Sequence, residues 1–168
     1  MISFFSRIFR IFQKQEDETH SIFKKVPMFQ GLSKRDLTHI ERIIHRRHYS
    51  EDEIIFHQDE PGFGLYIIES GRVAIVWGPN QQVLVQLHDG DFFGELDLLE
   101  ESPRIATAIA KAPSILLCLF MPDFIDLVNR NPRLGARLLW QYGRILSQRL
   151  KMSLLKVGED AGLKNQGG

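Results

Sequence analysis

The sequence predicts a mostly β fold with flanking helices, an α+β chain of one compact domain with appendages. Three observations carry this. Apolar residues recur at helical spacing at both ends of the chain. Between about Tyr49 and Phe120 the period changes to short apolar runs cut by turn residues. The length, 168 residues, suits one domain and not two. With 43% hydrophobic and 25% charged residues the composition is that of a soluble globular chain. The 21 basic and 21 acidic residues cancel, which excludes a broadly basic nucleic-acid coat.

The elements follow in order. Residues 1–14 segregate on a helix, with Ile2, Phe5, Phe9 and Phe12 on one side and Arg7, Arg10 and Lys14 on the other. Such a helix suits docking at an anionic membrane surface, or packing against the β domain or a partner chain. Glu16-Asp17-Glu18 reads as a polar junction. Residues 19–48 read as helical. Ser33-Lys34-Arg35-Asp36 opens a helix with a capping pattern, and Leu37, Ile40, Ile43 and Ile44 follow at helical spacing. Six strands are then expected, at Ile54–Phe56, Leu65–Ile68, Val73–Trp77, Val83–Val85, Ile105–Ile109 and Ile115–Phe120. The cuts between them include Asp59-Glu60-Pro61-Gly62, Ser70-Gly71, Gly78-Pro79-Asn80 and Asp89-Gly90-Asp91. Short strands at this spacing argue for an antiparallel sandwich or barrel. Trp77 and the strand phenylalanines are expected in its core.

After Met121-Pro122 the helical period returns. Asp123–Arg130 is a short helix, and Asn131-Pro132 supplies a cap and a first-position proline for a long one. That helix carries a wide apolar stripe through Leu134, Leu138, Tyr142, Ile145 and Met152, with Leu139, Leu146, Leu150 and Leu154 beside it. Arg137, Arg144 and Lys151 are a heptad apart and share one basic face. The expected organisation is an amphipathic helix over 1–14, a helical bundle and β domain over 15–122, hinge or lid helices over 123–157, and a flexible tail over 158–168.

The chemistry concentrates between Gly90 and Ala108. Gly94 lets the backbone turn or approach a ligand. Glu95–Leu99 can form one helical turn whose free N–H groups make an anion site. Arg104 offers a planar fork that suits a phosphate, and Glu95 an acceptor for sugar hydroxyls. Together they suit a nucleotide's phosphate and ribose.

This stretch resembles the phosphate-binding cassette of the cyclic nucleotide-binding domains, as in catabolite activator protein and the regulatory subunits of cAMP-dependent protein kinase. The resemblance rests on Phe93-Gly94-Glu95-Leu96, Leu98-Leu99, Pro103-Arg104 and Ala106-Thr107, with Tyr66–Val73 upstream and Gly90-Asp91 before the cassette. It covers roughly residues 20–156. It implies a jelly-roll-like β-roll, an antiparallel double-stranded β-helix, with helices on both sides. It also implies a ligand site at Gly94, Glu95, Leu96, Asp97, Arg104, Ile105 and Ala106. Arg104 would pair with the cyclic phosphate and Glu95 would accept from the ribose 2′-hydroxyl. Gly94, Leu96 and the Asp97 N–H would cradle phosphate and sugar. Trp140 and Tyr142 would be lids over the base.

The chain departs from the family at three places. Asp97 stands where a small residue is usual. If its carboxylate lay ~6 Å from a bound phosphate, repulsion would cost roughly 0.7–3 kcal/mol at effective dielectrics of ~80 to ~20. Ile105 follows the arginine where cGMP-selective members often carry Thr, which favours cAMP over cGMP. Gln58 stands where a turn glycine is common.

The resulting expectation is a stand-alone, bacterial-type cyclic nucleotide sensor that binds without catalysis and signals to a protein partner in trans. The competing expectation is a degenerate fold serving as an adaptor or membrane-associated interaction protein, with Arg104 in a structural ion pair. A homodimer through the C-terminal helix and peripheral membrane contact through residues 1–14 remain open. No cofactor beyond the nucleotide ligand and no direct DNA contact are expected, because the chain ends soon after the long helix. The expected site is the cytoplasm or the inner face of the membrane. The lone Cys118 lies in an apolar run and reads as a buried small hydrophobe. His45 and His48 have the i, i+3 spacing of a helical metal pair, but no cysteine or carboxylate set accompanies them. No metal set, nucleophile motif or phosphate-binding Walker loop supports an enzyme.

Overall fold

A computed structural model describes residues 19–165 of the chain. After a helical turn at 19–23 and a 3₁₀ turn at Pro27–Phe29, helix α1 spans Lys34–Glu41. Eight strands follow: β1 (Ile44–Tyr49), β2 (Ile54–Phe56), β3 (Gly64–Ser70), β4 (Val73–Trp77), β5 (Gln82–Leu87), β6 (Phe92–Phe93), β7 (Thr107–Ala110) and β8 (Ser114–Phe120). A 3₁₀ turn at Glu95–Asp97 lies between β6 and β7. Helices α2 (Met121–Arg130) and α3 (Pro132–Asn165) close the chain. The strands form two four-stranded antiparallel sheets, ordered β1-β8-β3-β6 and β2-β7-β4-β5.

Strand alternation explains how the layers assemble. In β3 and β8, Leu65, Ile67, Leu117 and Leu119 join the core beneath the helices. Their neighbours Tyr66, Ile68, Leu116 and Cys118 join the core between the sheets. The two central strands of the first sheet are thus buried on both faces, which is why β3 and β8 read as nearly continuous apolar runs. Cys118 is fully buried, and burial pushes its thiol up to about 12.

The helices are anchored by local chemistry. Ser33 Oγ accepts from the Asp36 N–H, and Asp36 accepts from the Ser33 N–H, both at 3.2 Å, completing the expected capping box. The Asn131 side chain caps α3 through the Leu134 N–H at 3.3 Å. Phe124, Leu134 and Leu138 pack α2 and α3 onto the helical core, and Arg137 ties α3 to Asp36 at 2.9 Å.

Several expectations need correction. Residues 44–48 are strand, because six residues from Ile44 to Tyr49 pair in unbroken register with β8. On a strand His45 and His48 face opposite sides and share no ion, and His45 instead meets Asp123 at 3.0 Å. Among the described residues no three His, Cys, Asp or Glu groups converge to hold a metal. The two-residue strand β6 is too short to show a period. Trp77 is 53% exposed at the outer end of β4. Helix α3 runs on to Asn165, through the region read as a tail, since no proline interrupts it. Its apolar stripe divides: Leu134, Leu138, Tyr142 and Ile145 are buried, whereas Leu150, Met152 and Leu154 are more than 60% exposed. The amphipathic segment at residues 1–14 lies outside the described residues, and no described helix is long and apolar enough to cross a membrane.

If Leu138 is the anchor of α3, Leu138→Ala should cost about 2–5 kcal/mol in a denaturant melt. Trp140→Ala, two residues along at a site 73% exposed, should stay within about 0.5 kcal/mol of the parent. Equal losses would show that α3 is not held through its buried stripe.

Candidate functional site

The segment after β6 builds one wall of a cavity of about 710 Å³. Gly94 takes the left-handed conformation (φ 73°), which turns the chain into the 3₁₀ turn at Glu95–Asp97. That turn is tight. The Asp97 N–H is directed at the Gly94 carbonyl at 3.4 Å, and the Leu98 N–H donates to the Glu95 carbonyl at 3.1 Å. Buried Leu98 pins the turn to the helical core.

Arg104 lies in the segment before β7, and its backbone is clamped on both sides. Its N–H donates to the Glu60 carbonyl and its carbonyl accepts from the Asp59 N–H, each at 2.8 Å. The side chain is 3% exposed. Nη1 donates to Asp97 Oδ2 at 2.5 Å and to the Gly94 carbonyl at 3.2 Å, and Nη2 donates to the Gly64 carbonyl at 3.1 Å. The guanidinium lies 4.2 Å from the Phe56 ring centre and 5.5 Å from that of Tyr66, a cation–π seat. Asp97 points inward, and its other oxygen accepts from Ser102 Oγ at 2.6 Å.

Glu95 is also buried, and its carboxylate pairs with Arg149 of α3. The Tyr142 hydroxyl donates to the Glu95 carbonyl at 2.7 Å. Burial, with the Glu95 and Asp97 charges nearby, pushes that hydroxyl up to about 12, so it remains a donor at neutral pH. The site therefore holds two ion pairs, Arg104–Asp97 and Arg149–Glu95, and their charges cancel.

All seven residues expected at the site, Gly94, Glu95, Leu96, Asp97, Arg104, Ile105 and Ala106, line this cavity. Of the two expected lids, Trp140 faces away from it, and Tyr142 braces the cassette from behind. The wall that α3 supplies comes instead from Leu146, Arg149, Leu150 and Ser153. Their spacing of three to four residues is one helix face, a signal present in the sequence but masked by the wider stripe. Opposite stand Ile75, Val85 and Leu87 of the second sheet. Gln58 is unstrained: its N–H donates to Thr107 Oγ1 and its side chain accepts from the Gly78 N–H, while Asp59 takes the positive φ of the turn.

The chemistry of this cavity is a buried guanidinium, two buried carboxylates and the half-exposed Arg149 in a chamber with largely apolar walls, within the size range of small-molecule sites.

The comparisons with known proteins agree with this arrangement. The family model described as a cyclic nucleotide-binding domain matches residues 46–131, about half the chain. The chain is 32% identical over 137 residues to the cyclic AMP receptor protein of Thermus thermophilus, covering 80% of this chain and 62% of that relative's length. It is 32% identical over 90 residues to the cAMP-dependent protein kinase regulatory subunit of Hypocrea atroviridis, covering 54% of this chain and 19% of the relative. The crystal structure of the Thermus thermophilus catabolite activator protein superposes with a TM-score of 0.72 at 30% identity, over 80% of this chain and 63% of that one. A cyclic nucleotide-binding domain from Methylobacillus flagellatus matches in fold with a TM-score of 0.74 at 21% identity, over 88% of this chain and 84% of that one. With half its length under the family's pattern and the same β-roll in its solved relatives, the chain belongs to the cyclic nucleotide-binding domain family.

Proposed function

We propose that this domain is a cyclic-nucleotide-sensing regulatory module, with cAMP as its preferred ligand, that binds without catalysis and signals in trans. The observation that carries this reading is that Arg104 and Glu95 both open on one chamber of nucleotide size. The cyclic phosphate would be held by Arg104 and the ribose 2′-hydroxyl by Glu95. The purine would lie among Ile75, Val85 and Leu87 on one side and Leu146 and Leu150 on the other. Ile105 lines the chamber without a hydroxyl, which supports adenine over guanine.

Glu95 is also the tie to α3 through Arg149. A ligand that engages Glu95 changes what holds the far half of α3, and so shifts how its exposed face is presented. That face carries Leu154 and Val157, each more than 60% exposed, and is the surface proposed to meet a partner protein or a second copy of the chain. A second reading, a degenerate pocket serving as an adaptor, is favoured by one observation: Arg104 is already paired with Asp97.

Calorimetric titration decides between them. cAMP should bind with a Kd of about 10 μM or tighter, about −7 kcal/mol, and cGMP more weakly. Arg104→Lys keeps a charge for Asp97 but loses the fork, and should weaken cAMP at least about 10-fold. No heat at millimolar cAMP would establish the adaptor. Hydrogen exchange reads the lid. Arg149→Ala should speed exchange in residues 146–158 of the free protein and leave 132–142 unchanged, because buried Leu134, Leu138 and Tyr142 hold the first half of α3. Uniform exchange along α3 in both proteins would remove the lid from the mechanism.

A further inference from the structure

We propose that Asp97 is a built-in occupant of the anion seat on Arg104, so that an incoming phosphate binds by displacing it, and that Asp97 thereby sets how strongly the pocket takes an anion. The inference rests on the cyclic-nucleotide reading for its natural ligand, but the seat itself can be tested without a nucleotide.

Three observations build the seat around this carboxylate. Both of its oxygens are engaged inside the protein, one by Arg104 at 2.5 Å and the other by Ser102 at 2.6 Å, and Asp97 is only 5% exposed. The space it fills is kept open by Gly62. A Cβ at that position would lie 2.4 Å from Asp97 Cγ, so a side chain there would collide with the carboxylate. Ser102 and Gly62 are joined in turn, the Gly62 N–H donating to the Ser102 carbonyl at 2.9 Å. Gly62, Asp97, Ser102 and Arg104 therefore form one fitted set, in which the inward aspartate is specified by its surroundings.

The seat is occupied but not saturated. Arg104 Nε is buried without a partner among the described residues. One donor of the guanidinium is therefore left unsatisfied while Asp97 holds the other arm. A phosphodiester carries the same single charge as the aspartate and uses the same kind of oxygen acceptor. The two compete for one cation, and the tethered one starts with the advantage of being in place.

The test compares the parent protein with Asp97→Asn, which keeps the shape and the Ser102 contact but removes the charge. Thermal melts are run in inorganic phosphate against sodium chloride at equal ionic strength. Phosphate should raise the Tm of Asp97→Asn by at least about 3 °C more than that of the parent, because only the variant offers an uncompensated arginine. In parallel, cAMP should bind Asp97→Asn at least about 10-fold more tightly than the parent. Should Asp97→Asn fail to fold, Ser102→Ala removes one anchor of the aspartate without stranding a charge, and cAMP should then bind about 2- to 5-fold more tightly. Equal phosphate responses in the two proteins overturn the proposal, whatever cAMP does. A phosphate effect confined to the variant, with no cAMP bound by either protein, supports the anion seat and removes the nucleotide reading. For Ser102→Ala, unchanged cAMP affinity overturns the proposal.

Discussion

A buried guanidinium must be paired, and in this protein that demand organises the site. Arg104 reaches into the space between the cassette, the loop before β3 and the aromatic pair Phe56 and Tyr66. Each partner it takes fixes a different segment: the Gly64 carbonyl holds the start of β3, the Gly94 carbonyl holds the turn after β6, and Asp97 holds the 3₁₀ turn. Removing one member of such a buried pair typically costs about 3–5 kcal/mol, because the other is left charged and dry. The same contacts that hold the pocket's shape thus use up most of the donors that a ligand would need.

The long helix joins this site to the rest of the molecule. Along α3, Arg137 meets Asp36 of the capping box, Tyr142 braces the Glu95 carbonyl, and Arg149 pairs with the Glu95 carboxylate. One element therefore touches the N-terminal helical region and both ends of Glu95. The buried half, from Leu134 to Ile145, packs like an ordinary core helix. Beyond it, among the described side chains, Arg149 and a few apolar contacts hold the helix, and Arg149 is 47% exposed. That pair joins a buried carboxylate to a half-exposed arginine, so the arm a ligand could replace is the one that solvent already reaches. The helix thus has a half fixed by core packing and a half tied to the site through Arg149, the division on which the proposed lid rests.

Much of this was legible in the sequence, for physical reasons that also explain the misses. The six strands with four or more apolar residues, or with clear turns around them, were readable from their runs and cuts. β1 was not, because Ile40, Ile43 and Ile44 continue a helical period, and its strand form depends on pairing with β8, seventy residues away. β6 has two residues and no period at all. At the site, Gly94, Glu95 and Arg104 were legible because each residue type does something few others can. The inward turn of Asp97 was not, since it depends on the space left by Gly62 and on the Ser102 hydroxyl. The lid residues were missed for a similar reason. Trp140 drew attention as an aromatic, but which face of α3 looks into the chamber is decided by the burial of Leu138 and Tyr142 on another face.

On the proposed reading, binding in this pocket is an exchange of ion pairs. Arg104 gives up or shares Asp97, and Glu95 gives up or shares Arg149, so the polar gain on binding is the difference between two similar interactions. The positive contribution to affinity must then come from the apolar walls, where a purine-sized surface would be removed from water at about 25 cal/mol per Å². A charged ligand without a ring would gain little, since it brings only the interaction already present. A ring without a phosphate would leave the Arg104–Asp97 pair undisturbed and the cassette unmoved. Only a molecule carrying both parts supplies the driving force and also displaces the pair. On the proposed reading, the internal carboxylate would make the pocket answer to the combination of an anion and a flat apolar ring.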